Sequence, residues 1–154
     1  MKPRNFFAFL MFASGLIEPC FAQITEKDVT TIKMVVVDFE VVFGAVVTRC
    51  AELHPDHAPR LESAVHNWFN HNRNSVLELR EMYPKLTKYF PEADRTGYQP
   101  TPKQIGNMMT GMFLDSIAKT DGVELRKACS GVFEEKTLKE LDFSALLNKI
   151  KNEK

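Results

Sequence analysis

The chain has three cysteines, and their placement constrains the fold more than any other feature. Cys20 closes an N-terminal stretch with the three-part plan of a secretory leader. Lys2 and Arg4 supply positive charge, Phe6 to Ile17 form a largely apolar run, and Cys20-Phe21-Ala22 puts small residues where signal peptidase reads. The run is too short to cross a bilayer comfortably, which takes roughly 20 apolar residues in a helix. Glu18 and Pro19 stand where a lipidation site needs small residues. The expectation is cleavage after Ala22, leaving a mature chain from Gln23 to Lys154 that is periplasmic or secreted. No stable membrane anchor is expected once residues 1–22 are removed.

Cys50 and Cys129 are then the thiols that remain, and two unmatched thiols in an oxidising compartment pair. The bridge closes a loop of roughly 80 residues, which a chain-entropy model values at roughly 4 kcal/mol. Redox-active cysteines usually sit together as Cys-x-x-Cys, and these two are far apart in sequence. A structural disulfide inside a single domain, residues 23–154, is therefore expected. That length suits one domain with a sizeable core.

Along the expected mature chain the apolar residues recur at helical spacing. Ile32, Val35, Val36, Phe39, Val42, Phe43, Val46, Cys50 and Leu53 cover one face of a helix from about Glu26 to Leu53. Val35, Val37, Phe39, Val41 and Phe43 also alternate as a strand would, but the helical pattern persists over more turns. A turn at His54-Pro55-Asp56-His57 leads into a second helix, with Asp56 as its cap and Pro59 in its first turn. Leu61, Ala64, Val65, Trp68, Phe69, Val76, Leu79 and Met82 form its apolar stripe. Asn72 interrupts that stripe and needs a hydrogen-bond partner if buried. Pro84 and Pro91 bracket a short piece, and Pro91 to Pro102 is the most loop-like stretch.

Thr101-Pro102-Lys103-Gln104 predicts a helix start, with Thr101 capping and Gln104 reaching back. That helix carries Ile105, Met108, Met109, Met112, Phe113 and Ile117 and ends at Asp121-Gly122. A further helix runs through Leu125, Ala128, Cys129, Val132 and Phe133, and Asp142 caps a last one bearing Phe143, Leu146, Leu147 and Ile150. The pattern predicts an all-α fold, a small antiparallel bundle of about five helices stapled by Cys50–Cys129.

Function is less constrained. Lys plus Arg equal Asp plus Glu at 20 each, and the charges are interspersed, which argues against a nucleic-acid partner. The cluster Lys149, Lys151 and Lys154 is diluted by Glu153 and reads as a solvated helix end. All four histidines, His54, His57, His66 and His71, fall in one region, but none is spaced as the helical His pair of a zinc site. His54 and His57 are at most weak metal candidates, and solvent-facing or capping roles are the default. Met108, Met109 and Met112 fit a core stripe first, with Gly106 and Gly111 permitting close approach of another backbone. A groove for an apolar ligand or partner, or thioether binding of Cu(I), are their sharper readings.

No Gly-x-Ser-x-Gly elbow, phosphate-cradling loop or cofactor motif is present, and Asp38 with Glu40 or Glu92 with Asp94 read as surface charges. Tyr89, Phe90 and Tyr98 form a plausible hot spot for a protein partner if exposed on the Pro91–Pro102 loop; folded back, they cover an end of the bundle. The expected role is non-catalytic binding of a protein partner, as an inhibitor, immunity-like or accessory factor, without a cofactor. The alternative is a periplasmic carrier of a small apolar ligand or a metal ion.

Overall fold

The structure, a computed structural model, describes residues 23–95 and 100–153. The leader expected over residues 1–22 and Tyr98 lie outside the described residues.

Helix α1 spans Glu26–Met34 and α2 spans Phe39–Leu53, so the stretch expected to be one helix is two. Packing explains the break. A continuous helix would turn Val37 to the face opposite Val35, yet both are fully buried, and Phe39 follows them into the core. The alternation that resembled a strand is thus the signature of a turn crossing the core. The carbonyls of Val35 and Val37 accept from Arg80 Nε and Nη2 at 2.7 and 2.7 Å. Asp38 restarts the helix by accepting from the Val41 amide at 3.2 Å.

Helix α3 runs from Ala58 to Leu86. Its N-cap position is His57 rather than Asp56, and no side chain caps it; the Asp56 carboxylate lies 3.4 Å from the His57 ring. Pro84 does not end α3 as expected. It sits in the last turn, where Tyr83 and Leu86 on either side of it are buried and hold the helix together. Two short 3₁₀ turns follow, Thr87–Tyr89 and Glu92–Asp94.

Helix α4, Pro102–Lys119, opens with the predicted capping box: the Gln104 amide donates to Thr101 Oγ1 at 3.3 Å and the Thr101 amide to Gln104 Oε1 at 2.8 Å. Asp121-Gly122, expected as a stop, also makes a start. Asp121 accepts from the Val123 and Glu124 amides, each at 2.9 Å, and opens α5, Gly122–Lys127. The chain then widens into a π-type stretch, Ala128–Leu138, kinked at Gly131 with φ 122°. That conformation suits glycine, and a Cβ there would also lie 3.1 Å from an Arg60 guanidinium nitrogen. Helix α6, Phe143–Asn152, is capped by Asp142 through the Ala145 amide at 2.9 Å.

The fold is a helical bundle with no strand among the described residues, stapled by Cys50–Cys129, whose cysteines are both buried. Helix α3 lies at its centre against α2, α6 and the π-type stretch. Phe43 meets the edges of Trp68 and Phe133 at centroid distances of 5.0 and 5.4 Å, and Phe39 and Phe143 complete the aromatic centre. Its two polar groups are satisfied. Trp68 Nε1 donates to the Leu141 carbonyl at 2.9 Å. Asn72 accepts the Phe143 and Ser144 amides at 2.8 and 3.3 Å and donates to the Trp68 carbonyl at 3.2 Å. The residue that broke the α3 stripe is therefore the one that docks the start of α6.

Lys149 belongs to this framework rather than to a solvated tail, because its ammonium pairs with Asp28 and joins α6 to α1. Burial pushes the Asp28 carboxyl upward. Lys149 and both groups of Thr25 bond the charged form and together hold it below the ordinary carboxylate value.

Candidate functional site

Of the expected hot spot, Phe90 folds back. Phe90 is buried edge-on against Tyr83 at 5.9 Å, with the Lys33 ammonium 5.3 Å from its ring centroid. Tyr89 is half-buried; its hydroxyl donates to Glu153, and Lys88 lies 4.5 Å from its ring centroid. Burial and the Glu153 bond raise the Tyr89 pKa above its ordinary value, against a smaller lowering by Lys88. These residues cover an end of the bundle, so Phe90 is not offered to a partner.

The histidines do not converge. His54, expected at the surface, is buried; its Nε2 lies 2.9 Å from the Gly122 carbonyl, which makes that nitrogen the donor. The ring thus ties the end of α2 to the start of α5. His57 stands at the start of α3, and His66 and His71 are exposed on that helix, with His71 3.4 Å from Asp142. Among the described residues no three His, Cys, Asp or Glu side chains group as metal ligands. Three of the carboxylates noted in the sequence are engaged: Asp38 caps α2, Glu40 pairs with Arg73 at 3.0 Å, and Asp94 pairs with Lys33.

The methionines divide. Met109 packs on the core beside Phe113, but Met108 and Met112 are 59% and 66% exposed, so the core-stripe expectation fails for both. The cause is how α4 sits. Only Gly106 and Ile117 of its residues are buried, and the helix packs chiefly on α2. The contact is close because Gly106 has no side chain: a Cβ there would stand 2.3 Å from the Val36 carbonyl oxygen. Thr110 locks the register by accepting the Asp38 amide at 3.0 Å. Gly111, the other glycine singled out, faces open space. Met108 and Met112 fall about half a turn round α4 from Gly106 and Thr110, and so point away from the bundle. Val41 on α2 adds a further exposed apolar side chain, 46% exposed.

On the inward side of α4 lies a feature that sequence reasoning missed. A cleft of about 560 Å³ opens between the α1–α2 turn, the middle of α3 and the first turns of α4. Phe39, Trp68 and Phe69 line its apolar part, and Arg73, Arg80 and Lys103 bring positive charge to it. Its residues run from Val36 to Thr110 in three separated groups, so no local motif could have announced it. The one available signal was the Trp68-Phe69 pair on a single helix turn.

Comparison with family models, with curated proteins and with solved structures finds no match to this chain. No described helix is long and apolar enough to cross a membrane.

Proposed function

We propose that the protein is an exported, non-catalytic binding domain that engages a protein partner through the outer face of α4. The observation that carries this reading is the exposure of Met108 and Met112 on a helix that buries only Gly106 and Ile117. Methionine suits such a face, since its unbranched, polarizable side chain adapts to a partner's contours. The Pro91–Pro102 loop leads directly into this helix, which moves the binding surface from the loop to the element it precedes. Export is supported by the leader-like start and by the buried Cys50–Cys129 bond, a linkage that persists in oxidising compartments.

A photo-crosslinking residue at position 112, in the cell that makes the protein, tests the surface against the same residue at exposed position 136. A discrete adduct from 112 alone supports the reading, and equal labelling from both positions, or none, rejects it. The double substitution Met108→Gln, Met112→Gln is expected to abolish that adduct from a probe at neighbouring position 115 while changing stability by less than about 0.5 kcal/mol. N-terminal sequencing of the protein is expected to begin at Gln23; a start at Met1 contradicts the export assignment, and a start at Cys20 contradicts cleavage after Ala22.

A further inference from the structure

The cleft beneath α4 has the size of a small-molecule site. Ligand pockets are typically some 300–1,000 Å³, mostly apolar, with a few polar groups that fix orientation. Here the apolar part is aromatic, from Phe39 and Trp68, and Leu77 extends it to the surface, 53% exposed. The charges are unequal: Arg73, Arg80 and Lys103 face Asp38 and Glu40.

The existing pairings show where the excess lies. Glu40 is taken by Arg73, and the Asp38 carboxylate by the Val41 amide. Arg80 spends Nε and Nη2 on the Val35 and Val37 carbonyls. Lys103 pairs with no carboxylate among the described residues. The cleft therefore presents an aromatic floor and, at its α4 edge, Lys103 as a cation paired with no described carboxylate.

We propose that this cleft binds a small amphipathic carboxylate, its apolar part lying against Phe39, Trp68 and Leu77 and its carboxylate at Lys103. Burial of the apolar part supplies most of the affinity. The lining carries three cations against two carboxylates, and this net positive charge selects against neutral and positively charged molecules of the same shape. The site is independent of the methionine face, which lies on the opposite side of α4, so either can fail without the other.

Trp68 is the protein's one tryptophan and lines the cleft, so its fluorescence reports occupancy directly. The disulfide-bonded protein is titrated with octanoate and, separately, with octylammonium, which has the same chain and the opposite charge. A saturable change is expected with octanoate, at an affinity at least about tenfold above that for octylammonium. Lys103→Gln should weaken octanoate about threefold, the range of an exposed ion pair. Leu77→Asn should weaken it severalfold through lost apolar contact. Both side chains are at the surface, so both variants are expected to melt with the parent protein. Absence of a saturable signal, equal affinity for the two probes, or unchanged octanoate binding in both variants would overturn the proposal.

Discussion

Helices α3 and α4 are both long, and the bundle uses them in opposite ways. Helix α3 buries a stripe from Ala58 to Leu86 against α2, α6 and the π-type stretch, and its polar members Trp68 and Asn72 bond across to the start of α6. Helix α4 is well capped, yet it buries only Gly106 and Ile117 and is held chiefly by α2. A capping box sets where a helix begins but adds only about 1 kcal/mol. Most helical stability in proteins comes from packing an apolar face. Of the two, α4 is accordingly the more able to open locally, and binding elements are drawn from the low-stability end. It is also the wall shared by the methionine face and the cleft.

The largest effect should come from the cross-link between α2 and the π-type stretch, both of which pack on α3. Replacing both Cys50 and Cys129 by Ser is expected to cost about 4 kcal/mol in urea unfolding. A loss below about 1 kcal/mol would mean that the core does not depend on the bond. Next comes Asn72→Leu, which strands the amides of Phe143 and Ser144 in the core. It should cost about 2 kcal/mol and unfold the whole domain more easily, because α6 docks through those amides.

Gly106→Ala sharpens the contrast. Its Cβ would collide with the Val36 backbone, so α4 must shift away from α2. The expected cost is about 1–2 kcal/mol, read by hydrogen exchange as lost protection in α4 while α3 keeps its own. Equal loss in both helices would show that they form one cooperative unit and break the comparison.

The smallest effect is set by pH. The Asp28 carboxyl is held below its ordinary value in the folded chain, so its stabilising contribution is complete above the unfolded value of about 3.9 and fades as pH falls through the folded one. Melting temperature should therefore drop on acidification from pH 5 to pH 3. The drop should be smaller in Asp28→Asn, which has no charge to lose against Lys149.

Much of the fold was legible because its signals are local. The disulfide, the capping box at Thr101, the Asp142 cap and the inward residues of α6 all follow from short-range chemistry and helical period. The misplaced details share one cause. Val35 and Val37 were read on a helix because period counts spacing and cannot see that both must enter one core. Met108 and Met112 were placed inside because an apolar stripe does not reveal whether anything lies opposite it. His54 was placed outside because its partner, the Gly122 carbonyl, is distant in sequence. The candidate sites were less legible still: Phe90 turned inward, and the cleft arises only when three separated segments meet.

By itself, then, the sequence determined that this chain makes helices, roughly where they start, and which two cysteines join them. Those choices depend on neighbours a few residues away, whose preferences the chain carries wherever it goes. The tertiary structure alone decided which apolar residues have company. Burial is a property of pairs brought together across the whole domain, and α4, with its exposed methionines on one side and a charged aromatic cleft on the other, exists as a surface only after α2 and α3 have packed.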